Sequence, residues 1–151
     1  MMLVPVLAMT SCHDDNDLPD VDFDITFENA VEVDNQMYIA KGDTLKVTGI
    51  TVINNESDDA ALITSASYYW DGYYIGSNNQ PPFGFEFCIG ENVPVGKHEI
   101  DITCPIYAVD KSPAIGTVFF YVNVVESQDD IPAGGDYRYT ISPKITSSVN
   151  D

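Results

Sequence analysis

Apolar residues alternate with polar ones along most of this chain, and this alternation constrains its fold more than any other feature. Successive side chains of a β-strand point to opposite faces, so a strand with one buried face is apolar at every second residue. In residues 116–126, for example, one face carries Val118, Phe120, Val122 and Val124. No stretch shows the sustained period of a helix, so the sequence predicts an all-β protein.

Turn residues divide this pattern into seven or eight short strands. Asp71-Gly72 predicts a tight hairpin, because both residues tolerate the left-handed backbone that such a turn needs. The apolar phase shifts at Gly49, which indicates a bulge. No loop is long enough for a parallel crossover, so we expect an antiparallel β-sandwich. The predicted strands are residues 21–27, 37–40, 44–54, 61–70, 73–75, 83–89, 98–109 and 116–126.

The 151 residues fit one domain with flanking segments. We expect a signal peptide over residues 1–11, an acidic tether over 12–20 and the sandwich over 21–126. Residues 127–151 form a C-terminal linker with one added edge strand predicted at 137–141, where alternation returns.

A short apolar run at residues 3–9 is followed closely by Cys12. It is too short to cross a bilayer as a helix, which takes about 20 residues, but long enough for a secretory signal. The pattern resembles a bacterial lipoprotein signal, which implies that Cys12 is lipidated and anchors the chain to a membrane. No Lys or Arg precedes the run, so we expect the true signal to start upstream. The alternative is a buried N-terminal strand with an ordinary core cysteine.

Acidic residues follow Cys12 directly, including Asp14, Asp15 and Asp17. This cluster resembles the export signal of Bacteroidetes lipoproteins, which implies display on the outer face of the outer membrane. The alternatives are a plain solvated linker and a lipoprotein that faces the periplasm. The whole chain carries 24 acidic and 6 basic residues, a net charge of -18. Such a surface repels phosphate backbones, so no nucleic-acid partner is expected.

The other two cysteines are Cys88 and Cys104. An exported protein can form disulfides, but the alternation points Cys88 outward and Cys104 inward, which disfavours a bridge between them. A bulge that flips one of the two strands is the alternative.

Several segments resemble bacterial immunoglobulin-like domains over roughly residues 21–126. The resemblance is carried by Tyr69-Trp70-Asp71-Gly72, by Gly96-Lys97-His98-Glu99-Ile100, by Tyr107-Ala108-Val109-Asp110 and by the final valine-rich strand. It implies an immunoglobulin-like Greek-key sandwich, a hydrogen-bonding or packing role for His98, and no particular activity.

Catalytic patterns are missing from the sequence. His13 lies in the tether, so a nucleophile–base pair would have to use His98. The chain has no Gly-x-Ser-x-Gly, no His-x-x-x-His and no glycine-rich phosphate loop. We therefore expect no enzyme activity and no cofactor. We also expect no metal site, because acidic loop residues such as Asp71 and Asp110 are better explained by their turns.

Binding is the expected function, and aromatic residues cluster at the Asp71-Gly72 hairpin. There Trp70 should face Tyr73 and Tyr69 should face Tyr74, with one pair in the core and the other outside. We predict that Trp70, Tyr73 and Tyr74 bind a ligand. The alternative is that they only pack within the domain.

The sequence thus predicts a surface lipoprotein with a non-catalytic binding or assembly module. Its partner would be a surface protein complex or a glycan. One alternative is a carbohydrate-binding accessory protein of a glycan-uptake system, and another is an adhesin or pilus-like subunit. An assembly module should bury Trp70 and expose a free strand edge at residues 21–27 or 137–141.

Overall fold

Twelve β-strands and one 3₁₀ turn form residues 17–134 and 138–148, the part of the chain that the computed structural model describes. The 3₁₀ turn is Gln128–Asp130. The strands are β1 (Val21–Glu28), β2 (Val31–Val33), β3 (Gln36–Ala40), β4 (Thr44–Asn54), β5 (Ala61–Ile63), β6 (Ala66–Trp70), β7 (Tyr73–Asn78), β8 (Phe85–Cys88), β9 (Gly96–Ala108), β10 (Ala114–Val125), β11 (Arg138–Ile141) and β12 (Lys144–Ser147).

These strands form two sheets that enclose one apolar core. One sheet has the order β11-β1-β4-β8, and the other has the order β2-β3-β10-β9-β6-β7, with β12 beside β10 and β5 beside β9. Inward-facing side chains of both sheets meet in the core, among them Phe23, Ile25, Leu45, Tyr68, Ile102 and Val122. The buried positions recur at every second residue of β1, β6, β9 and β10, as the alternation predicts.

The order of the seven main strands defines the topology. Counted along the chain as β1, β4, β6, β7, β8, β9 and β10, the first, second and fifth lie in one sheet, and the fourth, third, sixth and seventh lie in the other. This is the immunoglobulin-like Greek-key arrangement, and it confirms the predicted fold class.

One pair of strands is parallel, which the sequence did not predict. Residues 37–40 of β3 run parallel to residues 122–125 of β10. The need for a long crossover excludes parallel pairing only between strands that a short loop connects. Here most of the sandwich lies between the two strands along the chain. The strands β2, β5 and β12 were also not predicted as separate elements, because three or four residues give too little alternation.

Two local predictions are confirmed. The register between β1 and β4 shifts between Thr26 and Phe27, whose partners are Gly49 and Val47, so the bulge lies at the predicted place. The hairpin turn between β6 and β7 is formed by Asp71 and Gly72, with φ angles of 49° and 87°.

The C-terminal edge strand is also present. β11 pairs antiparallel with β1 through residues 138–141, while Tyr137 lies outside the described residues. Since β11 covers one side of β1 and β4 covers the other, β1 is an inner strand of its sheet. The suggestion that residues 21–27 present a free edge was therefore wrong. Of the two suggested segments, β11 is the one at an edge of the sheet among the described strands.

The described chain begins in contact with the domain. The Asp17 carbonyl accepts a hydrogen bond from the Ser112 N–H (2.9 Å), and the Asp20 carbonyl accepts one from the Asn55 N–H (2.9 Å). The Asp17 carboxylate also lies 3.3 Å from the Lys111 Nζ. Cys12, Asp14 and Asp15 lie outside the described residues. Within the described ranges, no helix has the length and apolar character needed to cross a membrane.

The two described cysteines differ as predicted. Cys88 is exposed on β8, Cys104 is buried on β9, and both thiols are free. Burial raises the pKa of the Cys104 thiol to about 12. Burial is also the main cause that raises the pKa of the neighbouring Tyr68 hydroxyl, which donates a hydrogen bond to the Phe83 carbonyl (2.5 Å).

Thiol labelling should separate these two cysteines. In a Cys12→Ser variant at pH 8, a disulfide reagent should modify Cys88 rapidly. Cys104 should react only as fast as the protein unfolds, because its buried thiol stays protonated and inaccessible. Adding Cys88→Ser should remove the fast phase, and a denaturant should release the slow one. A fast phase that survives the Cys88→Ser change would contradict this arrangement.

Candidate functional site

The aromatic hairpin pairs as the sequence predicts, but its tryptophan is not at the surface. Trp70 lies opposite Tyr73, and Tyr69 lies opposite Tyr74. The Trp70 side chain is only 9% exposed, whereas Tyr73 and Tyr74 are 77% and 60% exposed. Alternation along β6 sends Tyr68 and Trp70 to the core side, where the Trp70 ring packs 4.8 Å from the ring of Phe87. Trp70 is thus a core residue, which corrects its prediction as a ligand-binding residue.

A buried histidine ties the hairpin turn to β9. The His98 Nδ1 lies 2.6 Å from the Asp71 Oδ2, and the His98 Nε2 lies 2.7 Å from the Pro94 carbonyl oxygen. The Asp71 Oδ1 accepts a further bond from the Glu99 N–H (2.9 Å). The His98 ring also stacks on Trp70, with 4.8 Å between the ring centroids. Both ring nitrogens are therefore engaged, and His98 has the hydrogen-bonding and packing role that the family resemblance implies.

The outer face of the larger sheet carries a row of side chains that crosses four strands. Phe119 of β10 lies opposite Asp101 of β9, Asp101 lies opposite Tyr69 of β6, and Tyr69 lies opposite Tyr74 of β7. Directly paired residues share one face of a sheet. The row therefore places one carboxylate between aromatic rings, with Tyr69 and Tyr74 in an edge-to-face contact at 5.7 Å.

Two further rows flank this one. On one side Tyr121 lies opposite Glu99, and the Lys97 ammonium lies over the Tyr121 ring, 4.7 Å from its centroid. On the other side lie hydroxyl side chains from four neighbouring strands, Thr117, Thr103, Ser67 and Ser77. We call the surface formed by Tyr69, Tyr74, Glu99, Asp101, Phe119 and Tyr121 the aromatic face.

The rings of the aromatic face are accessible to solvent. Phe119 is 55% exposed and Tyr121 is 37% exposed. Their two rings pack edge to face, with 6.1 Å between the ring centroids. Clustered exposed apolar groups of this kind mark interaction surfaces, whereas isolated ones are ordinary. The sequence held a signal for these residues, because placing Val118, Phe120 and Val122 inside forces the residues between them outward.

A groove continues the aromatic face toward the edge of the smaller sheet. Its volume is about 320 Å³, and it is lined by Asn35, Phe119, Phe120, Tyr121, Tyr139, Thr140 and Ile141. β10 pairs with β12 up to Thr117 and with β3 from Val122 onward. Among the described strands, none pairs with residues 118–121 on that edge, so backbone as well as rings border the groove.

The two carboxylates of the aromatic face influence each other. The pKa of Glu99 is raised, mainly because its protonated form can donate a hydrogen bond to Asp101. Burial and the negative charges of Asp101 and Asp71 raise it further. The Asp101 Oδ1 is covered by its surroundings and has no hydrogen-bond partner among the described residues. Among all the described residues, this pair included, no group of three or more His, Cys, Asp or Glu side chains is placed to hold a metal ion.

Comparison with known proteins gives matches among solved structures. No family model matches this sequence, and no curated protein matches it. Among solved structures, the fibronectin(III)-like modules of Clostridium thermocellum CbhA are similar, at 21% sequence identity and a TM-score of 0.40. That match covers 66% of this chain and 97% of the other.

Replacement of Asp71 should show how strongly the histidine contact holds the hairpin. Asp71→Ala should lower the free energy of unfolding by about 2–3 kcal/mol, because it removes two charge-assisted hydrogen bonds and a side chain that tolerates positive φ. Asp71→Asn should cost less, since it keeps an acceptor oxygen. Urea denaturation measures both changes.

Asp110→Ala is the matched control for this measurement. Asp110 has a similar φ of 59° in another turn. Its replacement by Ala therefore measures only the loss of unfolding free energy that comes from placing Ala at a positive φ. Equal losses of stability in Asp71→Ala and Asp110→Ala would show that the Asp71 carboxylate contributes nothing.

Proposed function

We propose that this protein is a non-catalytic binding or assembly module that docks a partner on its aromatic face. The observation that carries the proposal is the exposure of Phe119, Tyr121 and Tyr74 on one side of the larger sheet. Aromatic side chains supply much of the energy at protein interfaces, because each buries a large area while restricting few torsions.

The environment of His98 supports a role without catalysis. A general base needs a free nitrogen within reach of a substrate. His98 is 9% exposed, and its two nitrogens face the Asp71 carboxylate and the Pro94 carbonyl. It is also the single histidine of the described residues. The site is thus built to hold a turn in place.

The ring geometry favours a protein partner over a glycan. A glycan-binding surface of the predicted kind would present flat, coplanar rings for sugars to stack on. The interplanar angles here are 63° between Tyr69 and Tyr74 and 74° between Phe119 and Tyr121. Clefts between tilted rings suit inserted side chains better than sugar faces. The burial of Trp70 and the free edge of β11 also match what we expect of an assembly module.

The cellular location of this module is proposed from the N-terminal sequence. Cys12 would carry the lipid that anchors the chain, and Asp14, Asp15 and Asp17 would direct it to the outer face of the outer membrane. A location on the periplasmic side is the alternative. Because Asp17 already contacts Lys111 and Ser112, the tether between lipid and domain would be only a few residues long. The domain would therefore sit close to the membrane surface.

Fatty-acid labelling tests the anchor, and protease treatment of intact cells tests the side. The wild-type protein should incorporate a labelled fatty acid and be cleaved on intact cells. Cys12→Ala should abolish the label and release the protein from membranes. Asp14→Asn combined with Asp15→Asn should keep the label but protect the protein from protease. Label on the Cys12→Ala variant would refute the anchor.

Photo-crosslinking tests the aromatic face. A photoreactive phenylalanine at position 119 should give a discrete adduct of higher mass in cells. The same group at position 53 should give none, since Ile53 is similarly exposed (41%) but belongs to the smaller sheet. A Tyr74→Ser change should weaken the adduct at position 119.

Affinity electrophoresis tests the glycan alternative. The wild-type protein and its Tyr74→Ser variant are run through native gels that contain polysaccharides, and their migration is compared with that in plain gels. Unretarded migration supports a protein partner. Retardation that Tyr74→Ser removes would assign the face to a glycan instead, and crosslinks of equal yield at positions 53 and 119 would overturn the aromatic face as the docking surface.

A further inference from the structure

We propose that the partner presents an arginine to the aromatic face, from a basic extended segment, and that Glu99 and Asp101 bind this arginine between the rings. The inference rests on the proposed docking function of this face. Beyond that function, it names the chemical group of the partner that the aromatic face binds, a guanidinium.

The two carboxylates are incomplete without a cation. Glu99 and Asp101 are two residues apart on β9, so both point to the outer face. Their negative charges repel, which contributes to the raised pKa of Glu99. The Asp101 Oδ1 is also shielded from water without a hydrogen bond from any described residue. A carboxylate oxygen in this condition costs free energy that a donor from a partner would recover.

The rings around these carboxylates suit a cation as well. The register puts Asp101 between Phe119 and Tyr69, and it puts Glu99 beside Tyr121. The face of an aromatic ring attracts a cationic group through its quadrupole. The protein already makes this contact once, because the Lys97 ammonium lies over the Tyr121 ring. The aromatic face therefore combines two features that each favour positive charge.

Arginine fits this surface better than a metal ion or a lysine. Ca²⁺ takes about six to eight oxygen ligands, and the described residues contain no group of three or more His, Cys, Asp or Glu side chains that could hold a metal ion. A guanidinium group is planar, so it can stack on a ring while it donates to two carboxylates at once. The net charge of -18 draws a basic segment toward the domain from a distance.

A peptide of alternating arginine and valine tests this inference at physiological salt. Titration calorimetry with the full-length protein should show binding, and amide chemical shifts should move at residues 99, 101, 119 and 121. Glu99→Gln combined with Asp101→Asn should weaken binding at least tenfold. A peptide with citrulline in place of arginine should bind equally poorly, because citrulline keeps the shape and removes the charge.

The matched control removes two negative charges elsewhere. Asp58→Asn combined with Asp59→Asn changes an exposed loop outside both sheets and should alter the affinity less than twofold. Equal weakening by both double variants, shift changes scattered over the acidic surface, or equal binding of the citrulline peptide would each overturn the arginine site.

Failure of the arginine site can be distinguished from failure of the proposed docking function. If crosslinking at position 119 still captures a partner while Glu99→Gln with Asp101→Asn has no effect on that crosslink, the face docks its partner without an arginine. If crosslinking at position 119 fails, the docking function itself is wrong.

Discussion

Burial of one face of each strand is the constraint on which the rest of this structure depends. Because successive side chains of a strand point in opposite directions, every residue sent into the core sends its neighbours outward. On β10 the buried Val118, Phe120 and Val122 leave Phe119 and Tyr121 exposed. The aromatic face is thus the outer counterpart of the core packing, and its position is fixed by the same register that closes the sandwich.

The hairpin between β6 and β7 shows how one polar contact organises its surroundings. The Asp71 carboxylate binds the buried His98 ring and the Glu99 N–H, so the turn is fastened to the start of β9. Trp70 packs against His98 from the same hairpin. The fixed turn holds Tyr69 and Tyr74 in register with Asp101. Packing on the inner side of the hairpin therefore positions side chains on its outer side.

The charge of the protein gives this face its chemical character. Exposed aromatic rings alone would accept many apolar partners. Glu99 and Asp101 restrict the partners that can bind, because two adjacent carboxylates repel anionic groups and favour a cation among the rings. The edge-to-face ring contacts restrict the partners further, because they leave clefts between the rings and no flat platform. We infer a surface for inserting a basic side chain of a protein partner.

The sequence by itself determined the all-β class, the Asp71-Gly72 turn, the bulge near Gly49 and the opposite orientations of Cys88 and Cys104, because each follows from local periodicity or local backbone preference. It did not determine that Trp70 is the buried member of its pair and Tyr73 the exposed one, since two paired residues share a face and only neighbouring strands decide what is covered. The parallel pairing of β3 with β10 and the meeting of Phe119, Asp101 and Tyr69 were likewise decided by the tertiary structure. These residues lie far apart along the chain, and only the packing of the strands brings them together.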